Sequence, residues 1–343
     1  MAQAERAEQA AGNTPMSGRS ERPEWMRRAV AAGNELHYLK QDLRRHNLIN
    51  GVAAAGLLLA LVGVAALGFV LPAWLWVPVG AVGLGCTLLG VFVLIVHECS
   101  HGMFWLSADR AKSRQLNHQI GALVGNLTFT AYREHWEKGH TTHHLQPCVV
   151  GVDPQDADPK DGARFWREVA MHLIPGWSVV ANPSRRYGFA AERILPSTLL
   201  WGGLAAAGAF AIGPAAPLVV LYGFNFVSVL NLFKKSQEHA AGLAQVEEPL
   251  MRSRTYFYPG QALFSPFNIH YHWEHHANFS VPWYLLPRYH AMVQALTPPE
   301  LRDDVRTVGL LAVLRQSNGL RRPPAPAVAG PALSVVGAAA PPA

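Results

Sequence analysis

Charged side chains are scarce in this sequence. Only 15% of its 343 residues are Asp, Glu, Lys or Arg, whereas 50% are hydrophobic. Charged residues make up about a quarter of an ordinary soluble domain. The deficit argues against a soluble globular protein and favours a chain that lies largely in a membrane. A mean hydropathy of only +0.09 indicates that substantial polar regions lie outside the bilayer.

Cysteines are also few, and they are not spaced as pairs. Cys86, Cys99 and Cys148 form no Cys-x-x-Cys motif, and Cys86 lies inside an apolar run, which argues against a disulfide framework. The first 45 residues contain no apolar core of the kind that a secretory signal peptide needs, so we expect no cleavage there. The basic residues form no compact patch with interleaved aromatics, so no nucleic-acid partner is expected.

Four long apolar runs without a charged side chain are the candidates for membrane-spanning helices. They cover residues of about 51–71, 74–96, 195–212 and 217–233, and they form two pairs, each joined by a short turn. A helix of about 20 residues crosses the hydrocarbon core of a bilayer. The sequence therefore predicts an all-α integral membrane protein with four transmembrane helices in two hairpins.

The distribution of basic residues predicts the orientation of these helices. Eight of the 29 Lys and Arg residues precede the first pair of runs, 11 lie between the pairs and 10 follow the second pair. By the positive-inside rule, both termini and the middle segment are expected to be cytoplasmic. We predict a cytosolic N-terminal segment, partly disordered, over 1–45, a membrane domain over 46–317, and a disordered tail rich in Pro, Ala and Gly over 318–343.

Three histidine boxes lie in the segments predicted to be cytoplasmic. The first is His97-x-x-x-His101, directly after the second apolar run; the other two share the spacing His-x-x-His-His and comprise His140, His143, His144, His272, His275 and His276. On a helix, residues three and four apart share a face, so each box presents its imidazoles to a common point. Adjacent histidines with a third one turn away have little packing rationale, which favours metal binding.

The number of histidines predicts more than one metal ion. A tetrahedral zinc needs three or four ligands, whereas the boxes supply eight and His239, at the end of the fourth run, makes nine. Two ions with several imidazoles each and an open position fit this count. Neutral imidazole suits iron, and an apolar substrate is implied by the membrane, so we infer O2-dependent oxidation of an unactivated C–H bond at a non-haem di-iron centre.

These motifs resemble those of the membrane fatty acid desaturase family. The resemblance covers roughly residues 39–296 and includes the three boxes, the Asp-Pro-rich loop after the second, residues 268–272 leading into the third, and the segment 281–287 after it. It implies a four-helix membrane domain whose cytosolic helical cap carries the boxes and two iron ions. In that family a histidine at the cytosolic end of the fourth helix ligates metal, and His239 matches it. Some members place an Asn four residues earlier, where this chain has Lys235.

The same resemblance leaves the reaction open. We favour desaturation of a fatty acyl chain, with a lipid hydroxylase or ketolase as the nearest alternative. We expect a separate electron donor of ferredoxin or cytochrome type with its reductase, and a bacterial-type cell membrane as the location. Candidates for residues that orient the ligands without binding metal are Glu98, His135, Asp153, His270 and Glu274.

Two other classes of protein are remote alternatives. His97-Glu98-x-x-His101 satisfies the signature of a membrane zinc metalloprotease, but that interpretation leaves the other two boxes unexplained. A metal transporter would place polar or ionisable residues inside its spans, and the four apolar runs contain no charged residue or histidine. The isolated histidines, including His37, His46 and His290, are interpreted as surface or interfacial residues.

Overall fold

The computed structural model describes residues 22–149, 152–153, 162–179, 191–240, 243–244 and 246–317, with the side chains of 191–193 excepted. The predicted disorder near the N terminus and over 318–343, and most of the acidic loop after the second box, lie outside these residues. The helices are α1 (Glu24–Gly33), α2 (Leu43–Leu67), α3 (Ala73–Ser100), α4 (Arg110–Leu127), α5 (Gly139–Leu145), α6 (Gly162–Met171), α7 (Ala191–Ala211), α8 (Ala216–Glu238), α9 (Gln261–Phe264), α10 (His272–Ala277), α11 (Leu286–Leu296), α12 (Arg302–Val305) and α13 (Leu310–Gln316).

Four of these helices are long and apolar enough to cross a membrane, namely α2, α3, α8 and the part of α7 from Ile194. This finding confirms the predicted all-α membrane fold. Apolar side chains such as Leu59 and Phe210 are 70% and 95% exposed, as expected for groups that face lipid. α2 begins at Leu43, eight residues before the predicted span, and α8 continues to Glu238, five residues beyond it.

α3 and α8 form the closest helix pair, because glycines let their backbones approach. A Cβ atom on Gly223 would lie 2.5 Å from Leu84 Cδ2, and one on Gly85 would lie 3.0 Å from the carbonyl oxygen of Gly223. Small residues at such positions are the usual means by which membrane helices pack tightly. The two helices run side by side towards their histidines, since Gly80 meets Val219 in the same way one turn earlier.

The last turns of α3 are wound differently from the rest of the helix. Phe92–His97 is a π-helical turn, after which Glu98–Ser100 completes the helix. A π-helical turn places one extra residue in a helix and is frequent at functional sites. Another π-helical turn, Tyr132–Lys138, immediately precedes α5. The first box therefore begins at the last residue of an irregular turn, and the second box follows another; each turn alters the direction in which the next side chains point.

A second core holds the third box in place beyond the membrane helices. Trp273 in α10 is fully buried and stacks on Trp25 of α1 with ring centroids 6.1 Å apart. The Tyr289 hydroxyl of α11 donates to the carbonyl oxygen of Ala29 at 3.0 Å. In the described residues, two short strands accompany these helices, β1 (Thr255–Phe257) and β2 (Arg306–Val308), paired in parallel. The apolar patterns did not predict these strands.

Candidate metal centre

The nine histidines predicted as metal ligands lie in two compact clusters. Within each cluster, one ring nitrogen from every histidine lies within 4.8 Å of those of the others. The first cluster contains His97, His101, His140, His144 and His275, and the second contains His143, His239, His272 and His276. The clusters are neighbours, since the rings of His144 and His276 have centroids 4.3 Å apart.

Helix geometry explains how the boxes divide between the clusters. Residues four apart differ by about 40° around a helix, whereas residues three apart differ by about 60° in the opposite sense. The pairs four apart therefore stay together: His140 with His144, and His272 with His276. The remaining histidine of each of these boxes, His143 or His275, points into the other cluster. The second and third boxes thereby each contribute to both clusters, which ties the clusters into one centre, whereas both histidines of the first box lie in the first cluster.

The distances between ring nitrogens fit ligands that share an ion. The Nε2 atoms of His97 and His275 are 2.9 Å apart, those of His101 and His140 3.1 Å, and those of His239 and His272 2.8 Å. Two nitrogens bound at right angles to an ion at about 2.1 Å are separated by about 3 Å. His276 is buried, and neither of its ring nitrogens has a hydrogen-bond partner in the described structure. Such buried nitrogens are suited to a metal.

Burial keeps these imidazoles neutral, the form that binds metal. Loss of hydration lowers the pKa of His101 and His239 to about 3 and lowers the pKa of His140, His144, His272, His275 and His276 well below 6.5. Neighbouring imidazoles lower these pKa values further, since a second positive charge in the cluster is unfavourable. At neutral pH each histidine can therefore offer a lone pair.

Carboxylates and a carbonyl contact the Nδ1 atoms of several cluster histidines. Asp153 accepts from His143 at 2.9 Å, and the carbonyl oxygen of Arg252 accepts from His239 at 2.9 Å. Glu98 lies 3.3 Å from His97 Nδ1. Glu238 lies 3.5 Å from His272 Nδ1. Such contacts fix the orientation of an imidazole and leave Nε2 to face the ion.

Of the five candidate orienting residues, some contact a cluster histidine and others have different neighbours. Asp153 and Glu98 contact His143 and His97 as stated above. Glu274 instead bonds to Thr255 and to His290 Nδ1, the latter at 2.6 Å, so it anchors α10 to the surrounding core. His270 packs on Tyr271, and His135 lines a cavity beside the first cluster.

Two residues were misjudged or missed from the sequence. Glu238 is 2% exposed and contacts a cluster histidine, and its place next to His239 was the signal that could have identified it. The interpretation of His46 as a surface or interfacial residue was wrong. It is 1% exposed, and its Nε2 lies 2.6 Å from the carbonyl oxygen of Met103, so it fixes the chain after the first box.

Replacing Asp153 by Asn should weaken metal binding at the second cluster. The amide retains the shape of the carboxylate but not its charge, and changes of this kind cost about 10- to 100-fold in metal affinity. Metal retained by the purified protein across a series of chelator concentrations measures the effect. Asp304→Asn, on the exposed side of α12, is the matched control. Equal retention by the two variants would exclude an orienting role for Asp153.

The metal-free protein should lose stability as the solution becomes acidic. Burial holds the pKa of the cluster histidines below 6.5, so the unfolded chain takes up protons that the folded chain excludes once the pH falls below ~6.5. Thermal unfolding in chelator should give a constant Tm above pH ~7 and a Tm that falls steadily from pH ~6.5 to ~5. A Tm that rises over the acidic range would contradict the burial of neutral imidazoles.

A cavity of about 270 Å³ adjoins the first cluster. His97 forms part of its wall, and α3 and α8 supply much of the remainder, including Phe92, Val93 and Val227. Its walls are mainly apolar near the middle of these helices. A lipid chain could therefore lie with a C–H bond beside the histidines.

Comparison with known proteins agrees with this arrangement. The family model described as fatty acid desaturase matches residues 72–303, which include all nine clustered histidines. A Homo sapiens protein named sphingolipid delta(4)-desaturase/C4-monooxygenase is 27% identical over 222 residues, which is 63% of this chain. The match spans 65% of that relative's length. The extent of the family match confirms the resemblance of the histidine boxes, and the chain belongs to the fatty acid desaturase family.

Proposed function

We propose that this protein is an O2-dependent oxidoreductase that attacks an unactivated C–H bond of a lipid. The observation that carries the proposal is the juxtaposition of two buried clusters of neutral histidines with an apolar cavity between membrane helices. A soluble substrate would not need a site at the end of such helices. The family to which the chain belongs supports the same class of reaction.

Two iron ions are the proposed cofactors, one in each cluster. Five imidazoles in the first cluster and four in the second match the nitrogen ligands that iron accepts, and no thiolate lies in either set. When bound, the two ions supply the reduction of O2 and the removal of hydrogen from the substrate. The chain itself holds the nine imidazoles neutral and orients His143 through Asp153 and His239 through the carbonyl oxygen of Arg252.

The cavity walls select and align the substrate in this proposal. Phe92, Val93 and Val227 offer an apolar surface on which a hydrocarbon chain displaces water, which is the main source of its binding energy. Because the clustered histidines are buried, a bound lipid would react at a site that is largely shielded from bulk water.

Desaturation is the favoured outcome, and hydroxylation is the alternative that a specific observation supports. The human relative carries both activities in its name, as a desaturase and a monooxygenase. A single histidine-bound centre can serve either outcome, since both begin with the removal of one hydrogen from carbon. We therefore propose lipid desaturation first and lipid hydroxylation or ketone formation second.

The electrons for O2 reduction are proposed to come from a separate protein of ferredoxin or cytochrome type with its reductase. The described residues are accounted for by the membrane helices and by the helices that surround the histidines. The distribution of Lys and Arg supports a cytoplasmic position for the histidine clusters and both termini. The proposed location is a bacterial-type cell membrane.

The zinc protease and the transporter fit the arrangement less well. His97 and His101 of the protease signature share their cluster with three further histidines, and Glu98 lies against His97 rather than in an open position. A transporter needs a path of polar groups through the bilayer, whereas the clusters lie at one end of the helices.

Mass spectrometry of lipids from cells that express the protein, with and without a His144→Ala substitution, tests the proposed function. Wild-type cells should gain a lipid two mass units lighter for desaturation, or sixteen heavier for hydroxylation, and cells with the variant should not. Identical lipids in both cultures, with iron-loaded wild-type protein in the membrane, would contradict the proposal.

A further inference from the structure

The cavity beside the first cluster changes character along its length. Phe224 and Val227 of α8 line it towards the middle of the membrane, and Asn231, Lys234 and Lys235 line it towards the histidines. These positions recur on one face of the helix, and the face from Phe224 to Lys235 is about 16 Å long at 1.5 Å per residue. One side of the cavity therefore grades from apolar to cationic over the length of a short acyl chain.

The lysines lie at about the same depth as the first metal cluster. Gly80 meets Val219 and Leu84 meets Gly223, so α3 and α8 keep a constant register over this stretch. Continued along the helices, that register brings His97 to the level of Ser236, the residue after Lys235. His97 and both lysines in fact line the same cavity. The cationic end of the cavity is thus next to the reacting centre rather than at a distant mouth.

The charge of this end favours an anionic ligand. The cavity wall contains two lysines and no carboxylate among its described residues, and metal ions bound in the clusters would add positive charge. Lys234 is bridged to buried Glu238, with 2.7 Å between Nζ and Oε2, which fixes its position below the clusters. Asn231, one turn deeper than Lys235, adds an amide donor on the same face. Because the charge of Lys234 is matched by Glu238, the ammonium group of Lys235 and the amide of Asn231 form the donor set for a carboxylate or phosphate.

We infer that Lys235 and Asn231, beside the Lys234–Glu238 ion pair, bind the anionic head group of the lipid substrate, so that oxidation takes place close to the head rather than in the middle of the chain. The inference rests on the proposed function and deepens it. The axes of packed helices lie about 8–10 Å apart, a distance that about seven methylene groups span. A lipid chain must cover this distance to extend from the lysines on α8 to His97 on α3. The oxidised carbon should therefore lie within about the first seven carbons from the head.

Binding to the detergent-purified full-length protein tests the subsite without catalysis. Unlabelled palmitate, hexadecyl phosphate, methyl palmitate and hexadecanol compete against radiolabelled palmitate for wild type, Lys235→Gln, Lys235→Arg and the control Lys112→Gln on the exposed face of α4. A charge-assisted contact should make the anionic lipids bind about tenfold or more tightly than the neutral ones. Lys235→Gln should remove this preference, whereas Lys235→Arg and Lys112→Gln should retain it.

The anionic competitors separate the two sources of negative charge. Tighter binding of palmitate assigns the subsite to a carboxylate, and tighter binding of hexadecyl phosphate assigns it to a phosphate; both support an anionic head. Equal competition by the neutral lipids in wild type would overturn the inference, and so would an undiminished preference in Lys235→Gln. The wild-type comparison remains decisive if the Gln variant fails to fold.

The position of oxidation in the cellular product provides a second, independent readout. Fragmentation of the new lipid should locate the double bond or hydroxyl group within about seven carbons of the head. Oxidation farther along the chain would overturn the inference and leave the proposed function intact. Selective anion binding through Lys235 without any lipid oxidation would support the anion subsite and contradict the proposed function. The two failures are therefore distinguishable.

Discussion

Replacing His272 by Ala should lower the metal content from about two ions per chain to about one and abolish lipid oxidation. His272 is one of four histidines in the second cluster, and its loss leaves only three. The first cluster has five members, so loss of His275 leaves four, enough for a tetrahedral set. His275→Ala should therefore retain more metal than His272→Ala, although both variants lose activity because the open position and the ligand geometry change.

Elemental analysis of the purified variants measures this asymmetry. His37→Ala is the control, since His37 lies outside both clusters and its ring nitrogen accepts a hydrogen bond from the backbone of Leu39. It should keep about two ions. Equal metal content in the His272 and His275 variants would contradict the division of ligands between the clusters. Full activity in either variant would show that the replaced histidine is not a ligand in the metal centre.

Replacing Trp273 by Ala should cost about 3–5 kcal/mol of folding free energy. Trp273 is fully buried within the third box, packs on Trp25 and belongs to the core formed by α1, α10 and α11. Its neighbours His272 and His275 belong to different clusters, so disorder of α10 would reach both. The variant should unfold at a lower temperature and hold metal poorly, even though no ligand has been changed.

Trp74→Ala provides the comparison for this prediction. Trp74 is also a tryptophan, but it lies at the start of α3 and its side chain is 76% exposed on the outer surface of the membrane helices. Its replacement should shift the unfolding temperature little. Thermal unfolding of both variants in the same detergent, followed with metal content, makes the test. A Trp273 variant as stable as the Trp74 variant would show that the packing around α10 does not support the centre.

The sequence was sufficient for the features that depend on local periodicity. The uncharged runs predicted the four long helices, because a span without charge has no other stable position than the bilayer. The spacing of the boxes singled out eight of the nine histidines that the fold brings together, because helical residues three and four apart share a face. His239 has no spacing of its own, and it was identified from its position after the fourth apolar run and from the resemblance.

The features that depend on tertiary contacts could not be predicted. The spacing within a box explains why His140 stays with His144 and His272 with His276, but the cluster that each pair joins is set by the approach of α5, α8 and α10 to the end of α3, which no local pattern records. Glu238 was missed because its partner His272 is 34 residues away and meets it only in the fold. The role of His46 was misjudged because its partner Met103 comes 57 residues later in the sequence and meets His46 only in the fold.

The arrangement also explains why the centre lies where the membrane helices end. α3 carries His97 in its final turns, and His239 directly follows the end of α8, so tight packing of these two helices brings the clusters together. Glycines at the contact allow that packing. The cavity between the same helices then lies beside the histidines. The packing of α3 against α8 therefore determines the positions of both the metal centre and the proposed lipid site.

X-ray absorption at the iron edge of the purified, iron-loaded protein tests the central claim most directly. The account predicts two irons per chain, each surrounded by nitrogen and oxygen at about 2.1 Å, with the outer scattering of imidazole rings and four to five histidines per ion on average. A first shell that contains sulfur, or a protein that binds a single zinc and no iron under the same loading, would contradict it.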